Sequence, residues 1–224
     1  MLTQQTVTVT ATSQADPTQS ASATITLSPI AVSPISPSPT QCGSSGYSYQ
    51  SIIVIDHTKV PNTDQIDFPF LFNTTDSSLA TLSNGGQVTS SSGYDIVFSA
   101  DPNGLTKLDH ELEEYNPVTG KVIAWIRIPT LSHTTDTVLY VFYGNASITA
   151  SQQNPTGVWD SNYTAVYHLA TVGTGTAADS SANDNYGTPT SVLAAPGKID
   201  GAASFDGVSS YIQIPSADFP SYPE

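Results

Sequence analysis

Glu111 and Glu113, in the run Asp109-His110-Glu111-Leu112-Glu113-Glu114, are the residues of this sequence best placed by type and spacing to do chemistry. If the run is a strand, alternate residues share a face and lie about 7 Å apart, because each residue advances the chain by about 3.3 Å. Asp109, Glu111 and Glu113 then line one face, and Leu108, His110 and Leu112 the other. Two carboxyl groups about 6.5–9.5 Å apart suit the acid and base of an inverting glycoside hydrolase, whereas a retaining enzyme needs about 5–5.5 Å. The simpler expectation is an acidic strand that faces solvent and carries no catalytic residue.

Other chemistries have weaker support. His57, His110, His133 and His168 are scattered, without the His-x-x-x-His spacing that zinc sites use. The sequence contains no Gly-x-Ser-x-Gly elbow to raise a Ser-His-Asp set above chance. Cys42 is the single cysteine, so no intrachain disulfide can form, and no neighbouring group would lower its pKa. Aromatic rings offer binding chemistry, since a flat face covers the C–H face of a sugar while nearby amides and carboxylates bond its hydroxyls. Trp125, among Val122, Ile123, Ala124, Ile126 and Ile128, is expected to be buried, with Arg127 on its own face to stack on it. Tyr47 and Tyr49, beside a linker, are expected to be exposed and are the candidate ligand-binding residues.

The elements that must position these groups read as strands. Apolar and β-branched runs predict strands over 50–56, 67–74, 94–100, 106–115, 121–129 and 136–144. Asn84-Gly85-Gly86, Pro102-Asn103-Gly104 and Asn116-Pro117-Val118-Thr119-Gly120 supply turn chemistry between them. Many short, evenly punctuated strands predict a β-sandwich. The one candidate helix covers Ile148–Asn154 and ends at Pro155. Ahead of this region, residues 5–13 and 21–27 alternate in period two and predict a hairpin around Asp16-Pro17. Residues 30–46, with prolines at 34, 37 and 39 and Gly43 and Gly46 near the end, form an extended linker.

Composition excludes several classes of function. The 224 residues hold 19 acidic and five basic side chains, a formal charge of −14, which repels phosphate backbones and leaves no nucleic-acid partner. Only 11% of residues are charged and Thr, Ser, Gly, Val, Ile and Tyr are frequent, which favours pleated strands over helices. No run approaches the roughly 18 apolar residues that span a bilayer.

Ordered sets of residues carry resemblances. Tyr47-Ser48-Tyr49, Asp67-Phe68-Pro69, Gly93-Tyr94-Asp95-Ile96, His110-Glu111-Leu112-Glu113, Ala124-Trp125, Tyr140–Asn145 and Gly157-Val158-Trp159-Asp160 resemble a bacterial domain of unknown function. That domain precedes concanavalin A-like modules in large exported proteins; the resemblance spans Gly46–His168 and implies no activity. Residues 5–27 resemble the last hairpin of a bacterial immunoglobulin-like repeat. Gly197-Lys198-Ile199-Asp200-Gly201-Ala202-Ala203-Ser204-Phe205-Asp206-Gly207 and Tyr211-Ile212-Gln213-Ile214 resemble the opening of a concanavalin A-like or laminin G-like jelly roll. Glu111-Leu112-Glu113-Glu114 faintly resembles the catalytic strand of laminarinase-type hydrolases. It departs at the second catalytic position, which is Asn116 here, so the acid/base role has no occupant.

Together these readings predict an all-β chain: 1–29 the end of an Ig-like repeat, 30–46 a linker, 47–160 a jelly-roll-like β-sandwich, and 161–224 a partial concanavalin A-like sandwich. The expected setting is a fragment of a longer secreted or cell-surface protein, with its export signal upstream. The expected function is non-catalytic binding or display, with carbohydrate or another surface polymer and the neighbouring modules as partners. A hydrolase using Glu111 and Glu113 is the alternative, and a pure spacer the third reading. No cofactor is expected unless it is calcium, which laminin G-like modules often bind; Asp179, Asn183 and Asp206 are its candidate ligands.

Overall fold

The structure, a computed structural model, describes the strands Gln5–Thr12 and Ser20–Leu27 and the continuous stretch 46–214. The predicted linker up to residue 45, Cys42 and the Asp16-Pro17 turn lie outside the described residues. Strands β1 (Gln5–Thr12) and β2 (Ser20–Leu27) pair antiparallel from Gln5↔Leu27 to Thr12↔Ser20, as the alternation predicts.

Six strands build the central body: β3 (Tyr49–Ile55), β4 (Gln65–Thr75), β5 (Val97–Ser99), β6 (His110–Asn116), β7 (Lys121–Leu131) and β8 (Thr137–Tyr143). They form two antiparallel three-stranded sheets, β3-β8-β5 and β4-β7-β6. Period-two patterning decides which side chains are dry. Along β7, Val122, Ala124, Ile126 and Ile128 turn inward, where they join Phe70 and Phe72 of β4 and Ile53, Ile55, Phe98, Leu139, Val141 and Tyr143 of the other sheet. Phe72 and Phe98 meet across the sandwich edge-to-face, with centroids 5.4 Å apart. Both are fully buried, so truncating either to Ala would cost about 3–5 kcal/mol.

Turn chemistry sets the strand ends. The β6–β7 hairpin turns at Asn116–Gly120, where Asn116 Oδ1 accepts the amides of Val118 and Thr119 at 2.9 and 3.1 Å. Gly120 has φ +70°, and a Cβ there would lie 1.9 Å from the Asp76 carbonyl oxygen, so only glycine fits. Asp95, fully buried, accepts the amides of Thr89, Ser90, Gly144 and Asn145 and the Thr89 hydroxyl. It thereby ties the loop before β5 to the end of β8. The strand consequently begins at Val97 rather than at residue 94, because Asp95 serves loop amides instead of a ladder.

One local expectation is corrected. No helix covers 148–154; the short helix α1 runs over Pro155–Val158 with proline at its first turn. Proline lacks only an amide that a first turn leaves unpaired, and its fixed φ suits that position, so it starts the helix rather than ending one.

Beyond α1 the chain makes β9 (Thr188–Thr190), β10 (Leu193–Pro196), β11 (Gly201–Ser204) and β12 (Tyr211–Gln213), paired antiparallel as β9-β12 and β10-β11. No helix among the described residues is long and apolar enough to cross a membrane.

Candidate functional site: a half-buried histidine between two glutamates and two tryptophans

The outer face of β4-β7-β6 carries the charged cluster. Alternation puts Glu111 opposite Trp125 on this face, and a register shift between Leu112 and Glu114 makes Glu113 the extra residue of a β-bulge. The bulge keeps Leu112 and Tyr115 against the core while Glu113 still points outward beside Trp125. Trp159 follows α1, which packs closely on β6: a Cβ at Gly157 would lie 2.6 Å from the Asp109 carboxyl carbon, so a larger residue there would displace the Asp109 side chain. Asn154 donates to Asp109 at 2.8 Å and its amide to the His110 carbonyl at 2.9 Å, which fixes the helix on the edge of β6.

His168 comes from the segment that follows. Its Nε2 lies 3.1 Å from Glu111 Oε2 and its Nδ1 3.3 Å from Glu113 Oε2, so the imidazole bridges both carboxylates. The same two oxygens accept indole N–H bonds, Glu111 from Trp159 at 2.8 Å and Glu113 from Trp125 at 2.7 Å. Ser180 Oγ donates to Glu111 Oε1 at 2.5 Å. The rings pack together: Trp125 and Trp159 centroids are 5.2 Å apart, and His168 lies 6.1 Å from Trp125 with an interplanar angle of 26°.

Electrostatics match this geometry. Burial alone would depress the His168 pKa, but hydrogen bonds and charge from Glu111 and Glu113 override it and raise the pKa from 6.5 to about 9. For Glu111, burial pushes upward, yet the His168 charge and the Ser180 and Trp159 donors hold the carboxyl below its ordinary value. Glu111 is therefore ionised and His168 protonated at neutral pH. Burial, then the negative charges of Glu114 and Glu113, push Asp200 upward, while Glu114 pairs with Lys121 at 2.5 Å.

Above the cluster is an open concavity of about 360 Å³ lined by Glu113, Trp125, Trp159, His168, Lys198 and Gly201, among others.

Several expectations change here. Glu111 and Glu113 are not on a solvent-facing strand: Glu111 is buried and the Glu113 side chain is 4% exposed, because the segment after α1 covers this face. Arg127 does not stack on Trp125. It holds Asp67 through Nε at 3.1 Å and Nη2 at 3.0 Å, and donates to the Gly157 carbonyl. Tyr47 is 3% exposed rather than open, packed on Phe142 with Lys107 over its ring. Tyr49 is half-buried and stacked on Tyr143 at 5.7 Å, and it lines an uncharged concavity of about 410 Å³ with Ser48, Gln87 and Asn145.

The candidate calcium ligands are engaged in local hydrogen bonds. Asp179 accepts the amides of Val166, Ser181 and Asn185; Asn183 donates to the carbonyls of Tyr163 and Thr164; Asp206 accepts the amides of Val208, Ser209 and Ser210. The group of metal-capable side chains brought together among the described residues is a different one, Asp56, His57 and Asp136, in which His57 already bonds Asp136 at 2.7 Å.

His168, Ser180 and Lys198 escaped the sequence reading as site residues. The available signal was the recurrence of Trp and His in the stretch 157–168, which marks where the chain returns to the acidic face.

Residues 92–168 match a family described as Domain of unknown function (DUF2341). The match covers less than half of the chain, and it takes in Glu111, Glu113, Trp125, Trp159 and His168 but not Ser180 or Lys198. No curated protein and no solved structure matches the chain.

Proposed function

We propose that the chain is a non-catalytic extracellular module that binds or displays, contacting carbohydrate or another surface polymer. One observation carries the non-catalytic part. The two carboxylates that a glycosidase would use are closed into an ion cluster by His168, and each accepts an indole N–H. An inverting enzyme needs one carboxyl protonated as acid and the other poised over a water. Here Glu111 is held ionised, and His168 occupies the space between it and Glu113, where a glycosidic oxygen and water would have to stand. The half-buried Trp125, which lines the concavity, supports the binding part, since an indole ring favours apolar contact with a polar rim. The cell-surface setting follows from the resemblance of the flanking segments to Ig-like and concanavalin A-like modules.

The deciding experiment passes the chain over immobilised neutral and acidic polysaccharides and assays reducing-sugar release in parallel. Retention without release is the expected result. Release that Glu111→Gln abolishes would establish the hydrolase instead, and neither retention nor release would leave a spacer.

A further inference from the structure

We infer that Asp56, His57 and Asp136, at the end of the β3–β8 ladder, form a binding site for a divalent transition-metal ion, zinc being the representative. The site belongs to the other sheet from the His168 cluster and is independent of the carbohydrate reading. The first ground is register. β3 and β8 pair antiparallel up to Ile55↔Thr137, and one step further the same register sets Asp56 opposite Asp136. Ile53 and Ile55 face the core, so alternation turns Asp56 outward, and both carboxylates are exposed. Like charges directly opposite each other on neighbouring strands are destabilising, and a cation between them removes that cost. No lysine or arginine among the described residues pairs with either: Lys121 holds Glu114, Arg127 holds Asp67, and Lys59 of the same loop makes no ion pair.

The donor set is the second ground. One atom from each residue, an imidazole nitrogen and two carboxylate oxygens, lies within 4.8 Å of the others. A zinc ion with bonds of about 2.0–2.1 Å holds its ligands about 3.3 Å apart, so a closure of about 1.5 Å or less completes the set, a movement open to exposed side chains. Each group is held in place without being used up. Asp56 Oδ1 accepts the amide and hydroxyl of Thr58 at 2.8 and 2.6 Å, and Asp136 Oδ1 accepts the amide and Nδ1–H of His57 at 3.1 and 2.7 Å. The second oxygen of each carboxylate and the His57 Nε2 make no hydrogen bond among the described residues.

Access and ligand type decide what the site takes. The side chains of His57 and Asp136 are 36% and 50% exposed, so an ion reaches them without disturbing the core. An imidazole nitrogen favours zinc, nickel or cobalt over calcium, which takes about six to eight oxygens. Three protein ligands leave a coordination position for water or for a group of a second molecule. The same two loops hold a built-in comparison, His133 and Asp64, joined by the same kind of Nδ1 contact at 2.7 Å but without a third ligand among the described residues.

The metal-free full chain is titrated calorimetrically with zinc chloride and, in parallel, with calcium chloride, and melting temperature is followed in each. Saturable binding of one zinc ion is expected, with a rise in melting temperature that EDTA reverses and no response to calcium at the same concentrations. Asp56→Asn keeps the cap on Thr58, since asparagine offers the same oxygen, and removes one of the two opposed charges. Without metal this variant should melt at or above the parent temperature, while its zinc affinity falls at least about tenfold, the size that losing a supporting group alone produces at a metal site. His57→Gln should lose zinc affinity to a similar extent, and His133→Gln should bind as the parent does. Parent affinity in Asp56→Asn or His57→Gln, or a matching loss in His133→Gln, would put the ion elsewhere and overturn the site. A response to calcium equal to that for zinc would overturn the imidazole as a ligand and the transition metal with it. Absence of saturable zinc binding would overturn the inference outright, and polysaccharide retention would stand or fall separately.

Discussion

His168 and Glu111 lie 57 residues apart in the chain, yet the imidazole Nε2 is 3.1 Å from Oε2 of the carboxylate, and both groups are largely withdrawn from water. This contact joins the sandwich to the segment that follows it.

Alkaline loss of stability is the first consequence. The folded pKa of His168, about 9, lies above its ordinary 6.5, so the unfolded chain releases the proton first as pH rises. The stabilisation is complete below pH 6.5 and disappears as pH climbs through about 9, with a size on the order of 3 kcal/mol. Urea unfolding at pH 6 and pH 9.5 measures it. His168→Gln should be less stable at pH 6 and should flatten the difference between the two; an unchanged slope in the variant would remove His168 from the account.

An acid-side loss follows from His110. This ring is buried, its Nε2 has no partner among the described residues, and its edge meets Phe98 at 5.4 Å. Burial pushes its pKa below 6.5, so between that depressed value and 6.5 the unfolded chain carries a proton that the native chain does not. Stability therefore falls as pH drops below 6.5. His110→Leu, which keeps an apolar group of similar bulk in the site, should show a weaker decline between pH 6.5 and 5 in thermal melts. A decline as steep as in the parent would mean that other groups carry it.

Asp95 is the residue whose loss should cost the sandwich most through hydrogen bonding. Four backbone amides and the Thr89 hydroxyl converge on its carboxylate. Asparagine keeps one acceptor oxygen and turns an NH2 group toward the remaining donors, so Asp95→Asn should lose about 3 kcal/mol or more in chemical denaturation. A loss under about 1 kcal/mol would show that the loop before β5 can satisfy these donors otherwise.

Much of this fold was legible because period-two patterning and turn residues act locally. β4, β7 and β8 fall within two residues of the predicted strands, and the Asn116–Gly120 turn forms as its side chains require. The carboxylate pair was also legible, but its state was not. A bulge at Glu113 cannot be seen in an alternating string, and the partner that neutralises Glu111 stands beyond the boundary at 160 that the resemblances set. Tyr47 was misplaced for a related reason: adjacency to a Pro/Ser linker suggests exposure, whereas Phe142, distant in sequence, covers it.

That buried Tyr47 yields a prediction with an unusual sign. Its hydroxyl has no hydrogen-bond partner among the described residues, although it is withdrawn from water. Burial and the nearby charge of Asp95 raise its pKa from 10 to about 12. Removing the oxygen relieves an unsatisfied polar group, and the ring contacts with Phe142 and Lys107 remain. Tyr47→Phe should therefore leave stability at pH 7 unchanged or raise it by about 1 kcal/mol, where most Tyr→Phe changes in a bonded site lower it. It should also reduce the loss of stability above pH 10, because the unfolded tyrosine ionises there while the folded one stays neutral until about 12. Urea midpoints at pH 7 and pH 10.5 test both, and a clear drop at pH 7 would mean that the hydroxyl makes a hydrogen bond that the fold depends on.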